Sequence, residues 1–160
     1  MLSLLLEFVN MGNSPDQSFE QFIDAQSQST LECTQLSSSE LNAISPIALA
    51  YIGDAVFELY VRSRLLIPAK RIRDYHHQVV TQVKAEQQSH FVDLLNPHLT
   101  DAEKDMVRRG RNATTGKRRR ANGQDYQKAT GLESLIGFLY LTDQPRLVSL
   151  LNQLSNKAGF

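Results

Sequence analysis

The 160-residue chain lacks the features that mark secreted, membrane-spanning or disulfide-stabilised proteins. Its single cysteine, Cys33, excludes an internal disulfide and indicates a reducing compartment. The apolar start, MLSLLLEFV, has no positive region and is interrupted by Glu7, so it is too short to span a bilayer and a poor signal peptide. We therefore expect a cytoplasmic protein without a membrane partner.

Basic residues are absent from the first 44 positions, which contain six acids: Glu7, Asp16, Glu20, Asp24, Glu32 and Glu40. The formal net charge of zero therefore hides an asymmetry, because the other 116 residues hold 17 basic and 11 acidic side chains. Residues 1–40 are predicted to form an acidic, polar, flexible leader, and residues 41–156 a basic folded domain. The net charge of the whole chain therefore does not indicate which partners the basic domain binds.

No run of residues alternates between apolar and polar with period two, which argues against a sheet. The capping signals instead predict an all-α domain of about five main helices. Their expected ranges are Pro46 to about Leu66, Arg71 to Leu95, Asp101 to about Gly110, Asp125 to Leu141, and a last helix from Asp143 to about Leu154. Residues 110–124 are expected to form a loop.

The first unusual helix segment is AYIGDAVFELYV, residues 50–61, in which Gly53 and Asp54 interrupt an apolar pattern. Burying an ionised carboxylate is unfavourable without a positive partner, and glycine weakens a helix by roughly 1 kcal/mol relative to alanine. Glu58 shares a helix face with Asp54 because it lies four residues on.

The segment TGLESLIGFLYL, residues 130–141, repeats this pattern with Glu133 and Gly137. Carboxylates in such settings can bind a hard divalent cation, and a nearby glycine lets another backbone approach closely. The alternative is that each acid is a salt-bridge partner at a helix edge. No Ser–His or Cys–His nucleophile arrangement is visible, and Lys84 and Glu58 are weaker candidates for the site.

The third feature is RRGRNATTGKRRR, residues 108–120, in which seven of thirteen residues are basic and none is acidic. Such a composition favours phosphate contact, and the lack of aromatic residues argues for duplex RNA rather than stacked single strands. The predicted RNA contacts are Arg108, Arg109, Arg111, Asn112, Lys117, Arg118, Arg119 and Arg120. A solvated charged loop is the alternative.

These segments together resemble a known family. AYIGDAVFEL resembles the signature helix of ribonuclease III, ATGLESLIGFLYL resembles that family's second acidic helix, and RRGRNA lies between them. The combination is similar to the Mini-ribonuclease III branch, which is a catalytic domain without the usual double-stranded-RNA-binding domain. The resemblance covers about residues 41–155, and it implies that residues 41–156 form a ribonuclease III-like catalytic domain.

The resemblance implies an all-α homodimer that cleaves double-stranded RNA with Mg²⁺, with Asp54 and Glu133 as metal-binding catalytic acids. It implies the 23S ribosomal RNA precursor as substrate, and ribosomal proteins or the pre-ribosome as further partners. Full-length relatives carry additional acids where this chain has Ala50 and Thr130. A catalytically silent double-stranded-RNA-binding or ribosome-assembly protein on the same fold therefore stays open, as does a helical interaction module.

Overall fold

The structure, a computed structural model, describes residues 36–114 and 123–160. All regular secondary structure in these two ranges is helical, which confirms the all-α fold class. The helices are α1 (Ser38–Ala43), α2 (Pro46–Leu65), α3 (Ile72–Val83), α4 (Ala85–Leu95), α5 (Asp101–Ala113), α6 (Gly123–Thr142) and α7 (Gln144–Ala158), with a 3₁₀ turn at Asn96–His98. The predicted leader lies almost entirely outside the described residues and stays a prediction.

Three helices begin where the capping signals predicted. The Ser45 side chain accepts from the backbone N–H of Ala48, with proline at the first position of α2. Thr100 forms a capping box with Glu103 at the start of α5. Asp143 accepts from the backbone N–H of Arg146 at the start of α7.

Two predicted boundaries were wrong. The single helix expected from Arg71 to Leu95 is divided at Lys84, whose backbone is extended with ψ at 151°. The helix expected to end near Gly110 continues to Ala113, so the predicted loop begins later than residue 110. The break at Lys84 and the additional short helix α1 give seven α-helices in the described ranges instead of about five.

The core is built around the part of α6 from Ala129 onward, which is buried on most sides and is packed by α2, α4 and α5. Its buried Leu132, Leu135 and Leu139 join Phe57 and Phe91 from α2 and α4. Within the two described ranges, no helix is both long and apolar enough to cross a membrane. Because α6 is enclosed, a polar residue on it must have a specific role or partner.

An ion pair between Glu103 and Arg146 connects α5 to α7, with Nε to Oε1 at 2.7 Å and Nη2 to Oε2 at 2.9 Å. Arg146→Gln is expected to lower the free energy of unfolding by about 2–4 kcal/mol at pH 7, because Glu103 is then a buried charge without its partner. The measurement is denaturant unfolding. Lys104→Gln, which removes an exposed pair with Asp101, should change the stability by less than about 1 kcal/mol.

The same pair predicts a pH dependence. The Arg146 guanidinium holds the pKa of Glu103 below its usual 4.5. The stabilisation is therefore fully present above pH 4.5 and is lost as the pH falls through the lower folded-state value. Arg146→Gln should flatten this acid-side loss of stability, and equal pH profiles for the variant and the unaltered protein would contradict the assignment.

Candidate active site

The backbones of α2 and α6 come into contact at two glycines. A Cβ built on Gly53 would lie 2.7 Å from the carbonyl carbon of Glu133 and closer still to its oxygen. A Cβ on Gly137 would lie 2.8 Å from the carbonyl carbon of Leu49, and again closer to its oxygen. Alanine at either position would force the helices apart, because the interior is already close-packed. The glycine of the Gly53-Asp54 pair is there to admit α6.

This crossing places Asp54 near Glu133. Asp54 directly follows Gly53, and Gly53 packs against the backbone of Glu133. Asp54 is exposed, whereas Glu133 is partly buried. The charge of Asp54 raises the pKa of Glu133, so the two carboxyl groups interact electrostatically. The structure thus brings together the two acids that the sequence singled out on separate helices.

Burial and like charge both disfavour the ionised forms of these acids. Burial, and then the charge of Asp54, raises the pKa of Glu133 to about 7, while a hydrogen bond with the Gln88 side chain partly opposes this rise. Burial, and then the charge of Glu58, raises the pKa of Asp54 above its usual 3.8. A divalent cation would offset both effects, because it stabilises the ionised form of each carboxylate.

The oxygen donors fit Mg²⁺, which is commonly held by one or two carboxylates while waters and substrate phosphates complete its shell. Among the residues that the structure describes, no group of three or more His, Cys, Asp or Glu side chains could hold a metal. Asp54 and Glu133 could therefore hold Mg²⁺ as an open two-carboxylate site, not as a cage built by the protein alone.

The two weaker candidates are placed less favourably. Glu58 forms an ion pair with Arg62 one turn further along α2, although its charge still reaches Asp54. Lys84 lies at the junction of α3 and α4, and it makes no ion pair with either acid in the described part of the chain. Both side chains stay predictions as members of the site.

The positions where full-length relatives carry further acids are both buried. Ala50 on α2 is 5% exposed, and Thr130 on α6 is 4% exposed. The Thr130 hydroxyl donates to the carbonyl of Tyr126 at 3.0 Å, within its own helix. These two positions therefore add no ligand to the Asp54–Glu133 pair.

Gln88 is a neighbour of the site that the sequence reasoning missed. It is 2% exposed, and its Nε2 donates to the carbonyl of Val83 at 3.0 Å, across the break between α3 and α4. Its side chain also acts on Glu133, because it lowers the pKa of that carboxyl group. The sequence spacing could have indicated that Gln88 is buried. It lies three residues before the buried Phe91 and seven before the buried Leu95, so it shares their helix face.

A second pair of glycines brings α5 against α6. A Cβ on Gly110 would lie 2.8 Å from the Cβ of Ser134 and 2.9 Å from the Cα of Gly131. A Cβ on Gly131 would lie 2.8 Å from the carbonyl oxygen of Val107 and 2.9 Å from the Cγ of Arg111. The turns of α6 around Glu133 are therefore fixed by both α2 and α5.

Four of the predicted RNA contacts lie in the last turns of α5: Arg108, Arg109, Arg111 and Asn112. All but Arg111 are exposed, and Arg111 packs its stem against Gly131, two residues before Glu133. The other four, Lys117, Arg118, Arg119 and Arg120, lie outside the described residues and stay predictions. Within the described residues, this positive charge lies at the end of α5, and Arg111 brings it next to the turn of α6 that carries Glu133.

The chain is similar to known proteins in both sequence and fold. The model of the Ribonuclease III domain family matches residues 47–144. The chain is 59% identical over 111 residues to a Mini-ribonuclease 3 of Synechocystis sp., covering 69% of this chain and 78% of the relative. It is 50% identical over 120 residues to the Mini-ribonuclease 3 of a Synechococcus species, covering 75% and 87%.

A crystal structure of a Fusobacterium nucleatum protein has a similar fold, with a TM-score of 0.64 and 28% sequence identity. The similarity covers 72% of this chain and 93% of that one. The family match spans both glycine crossings and both acids. The chain therefore belongs to the ribonuclease III family, within its Mini-ribonuclease 3 group.

Proposed function

We propose that this chain is an endoribonuclease that hydrolyses double-stranded RNA with Mg²⁺, and that Asp54 and Glu133 are its metal-binding catalytic acids. The observation that carries the proposal is the glycine crossing of α2 and α6, which brings two partly desolvated carboxylates together. Membership of the ribonuclease III family supports the reaction class.

The acids and their neighbours have distinct parts in the proposed reaction. Magnesium, when bound, can lower the pKa of a water and stabilise charge that builds on a phosphate. Asp54 and Glu133 would hold the ion, and the backbone contact between their helices fixes their relative position. Gln88, itself held by the carbonyl of Val83, orients the Glu133 carboxyl group.

The basic end of α5 is proposed to bind the RNA backbone. Arg108, Arg109, Arg111 and Asn112 carry donors for phosphate oxygens, and Lys117, Arg118, Arg119 and Arg120 would extend this surface. Contacts of this kind suit duplex RNA, which is recognised largely by shape and backbone. The proposed biological substrate is the 23S ribosomal RNA precursor, met in the cytoplasm as part of the pre-ribosome with its ribosomal proteins.

A cleavage assay tests the function. A long RNA duplex is incubated with the protein with and without Mg²⁺, and a single strand of the same sequence is the control. Cleavage of the duplex only, and only with Mg²⁺, is expected. Duplex binding without cleavage would instead support the alternative of a catalytically silent RNA-binding protein. The observation that favours this alternative is that the described site contains only two acids.

The proposed enzyme is a homodimer that forms through the outer face of α2. Phe57 and Tyr60 are fully buried in the core of the chain, whereas Tyr51 is 84% and Leu59 41% exposed. Tyr51 and Leu59 lie eight residues apart with the exposed Ala55 between them, so all three share one face. Exposed apolar residues in a stripe mark an interaction surface.

Light scattering should give about twice the 18.0 kDa mass of one chain at micromolar concentration. Tyr51→Asp should shift the mass to that of one chain, because it places a charge in the apolar interface. Tyr126→Asp, at another exposed tyrosine on α6, is the matched control and should stay dimeric. A monomeric unaltered protein would overturn the dimer.

A further inference from the structure

A cleft of about 240 Å³ lies between α4, α5 and α6. The buried Val92, Leu99 and Val107 form its apolar part. Four cations line it: Lys104, Arg108, Arg111 and Lys128. Asp93 is the one carboxylate among the lining residues, so the cleft carries a strong excess of positive charge.

Two of the cations in the cleft have carboxylate partners that a phosphate can replace. Arg108 pairs with Asp105 on its own helix, and Lys104 lies 3.8 Å from Asp101. These pairs are exposed, and exposed pairs contribute about 0–1 kcal/mol, so exchanging them for a phosphate costs little. Arg111 forms no ion pair with any residue in ranges 36–114 and 123–160.

Lys128 is held more firmly than the others. Its Nζ lies 2.8 Å from both carboxylate oxygens of Asp93, and its side chain is only 20% exposed. The ion pair fixes the ammonium group within the cleft wall between α4 and α6. Asp93 is 60% exposed, so a phosphate can compete with its carboxylate for this ammonium group.

The cleft adjoins the candidate active site along α6. Lys128 precedes Glu133 by five residues, which corresponds to about 7.5 Å of helical rise. Arg111 also lines the cleft, and its stem contacts α6 at Gly131, between these two residues. Lys128 and Glu133 are about 140° apart around the axis of α6. Arg111 is therefore the residue that connects the cleft to the turn of α6 that carries Glu133.

We infer that this cleft is a phosphate-binding subsite that holds a backbone phosphate of the RNA away from the scissile bond, with Lys104 and Lys128 as contacts. The inference rests on the proposed function and extends it to two residues outside the basic segment 108–120. A charged lining with one acid suits phosphate better than an apolar ligand, whose pockets are predominantly hydrophobic.

The test compares Lys104→Gln/Lys128→Gln with the matched control Lys70→Gln/Lys157→Gln, which removes equal charge outside the cleft. Duplex RNA affinity is measured across a salt series without divalent cations, so that no cleavage occurs. The cleft variant should bind several-fold more weakly, with a salt slope smaller by roughly 0.7–1.8 units for one to two lost phosphate contacts. The control should keep the slope of the unaltered protein.

A substitution that is expected to tighten RNA binding strengthens the test. Asp93→Asn removes the acid that competes with phosphate for Lys128, so it should tighten duplex binding at low salt. A merely structural role for the Asp93–Lys128 pair would predict weaker binding or no change, and either result would overturn the inference.

Further outcomes separate the two proposals. Normal Mg²⁺-dependent cleavage with an unchanged salt slope in the cleft variant would overturn the subsite alone. No cleavage by the unaltered protein would overturn the proposed endoribonuclease and the subsite with it. Inorganic phosphate alone is the last probe: if it raises the melting temperature through Lys104 and Lys128 while the duplex slope is unchanged, the cleft binds a free anion and the RNA assignment is wrong.

Discussion

Asp54→Asn, and separately Glu133→Gln, should lower the rate of duplex cleavage in Mg²⁺ by at least about 100-fold, the effect of losing a key electrostatic group. Each change keeps the shape of the side chain and removes one of two carboxylates that burial and a neighbouring negative charge already disfavour. Folding should therefore persist, and without Mg²⁺ the melting temperature should stay equal or rise. Initial cleavage rates and thermal melts measure the two effects.

The matched control is Asp74→Asn, which removes an exposed acid from the first turn of α3. It should leave the cleavage rate within about twofold, since a surface charge away from the acids has only a screened effect. Near-normal cleavage by either Asp54→Asn or Glu133→Gln would show that the acids are structural, and that the catalytic groups lie elsewhere.

Gly53→Ala should strongly destabilise the protein, and it should also abolish cleavage. The added methyl group meets the backbone of Glu133, which cannot rotate away as a side chain could. Overpacking a core commonly costs about 1–3 kcal/mol, and a backbone obstacle places this variant at or above the top of that range. Because α2 must move away from α6, Asp54 is also separated from Glu133. Denaturant unfolding and cleavage rates on the same sample measure both losses.

Gly159→Ala separates crowding from the general effect of replacing a glycine. Gly159 has φ at 76°, and a methyl group added there would meet no heavy atom of the described residues within 4 Å. Only backbone strain of about 1–2 kcal/mol is therefore expected, and cleavage should be unchanged. At a solvent-exposed glycine in a helix, alanine would leave the stability unchanged or raise it. If Gly53→Ala is as stable as the unaltered protein, the close contact between α2 and α6 is therefore wrong.

The beginnings of helices could be predicted because their chemistry is local. Ser45, Thr100 and Asp143 each use a side-chain oxygen to accept a backbone N–H, and this appears in the sequence as a short pattern. The break at Lys84 could not be predicted, because no glycine or proline marks it. The amide of Gln88 compensates by donating to the Val83 carbonyl, and this contact depends on the folded chain.

Gly110 shows why the end of α5 was predicted too early. Glycine after an apolar repeat usually indicates the end of a helix, and this rule places the boundary near residue 110. In the structure Gly110 lies inside α5 and serves the contact with Gly131 and Ser134 on α6. The distinction depends on which helix lies opposite, and a single sequence does not contain that information directly.

The acidic pair was predictable in identity, whereas its surroundings were not. A carboxylate with a nearby glycine on each of two apolar helices was visible, and family resemblance linked the two. The roles of Gln88, Lys128 and Asp93 depend on packing among α4, α5 and α6, which brings distant residues together. These neighbours can be identified only after the helices are placed.

The two glycine crossings also have a mechanical consequence. Glu133 lies between Gly131, which packs on α5, and Gly137, which packs on α2. Segments packed this tightly are among the last to open as a protein fluctuates, with opening free energies close to that of global unfolding. In the proposed enzyme the acids therefore form a rigid template. We therefore expect the RNA to adjust its own shape to reach them, and the cut to favour the parts of the duplex that deform most easily.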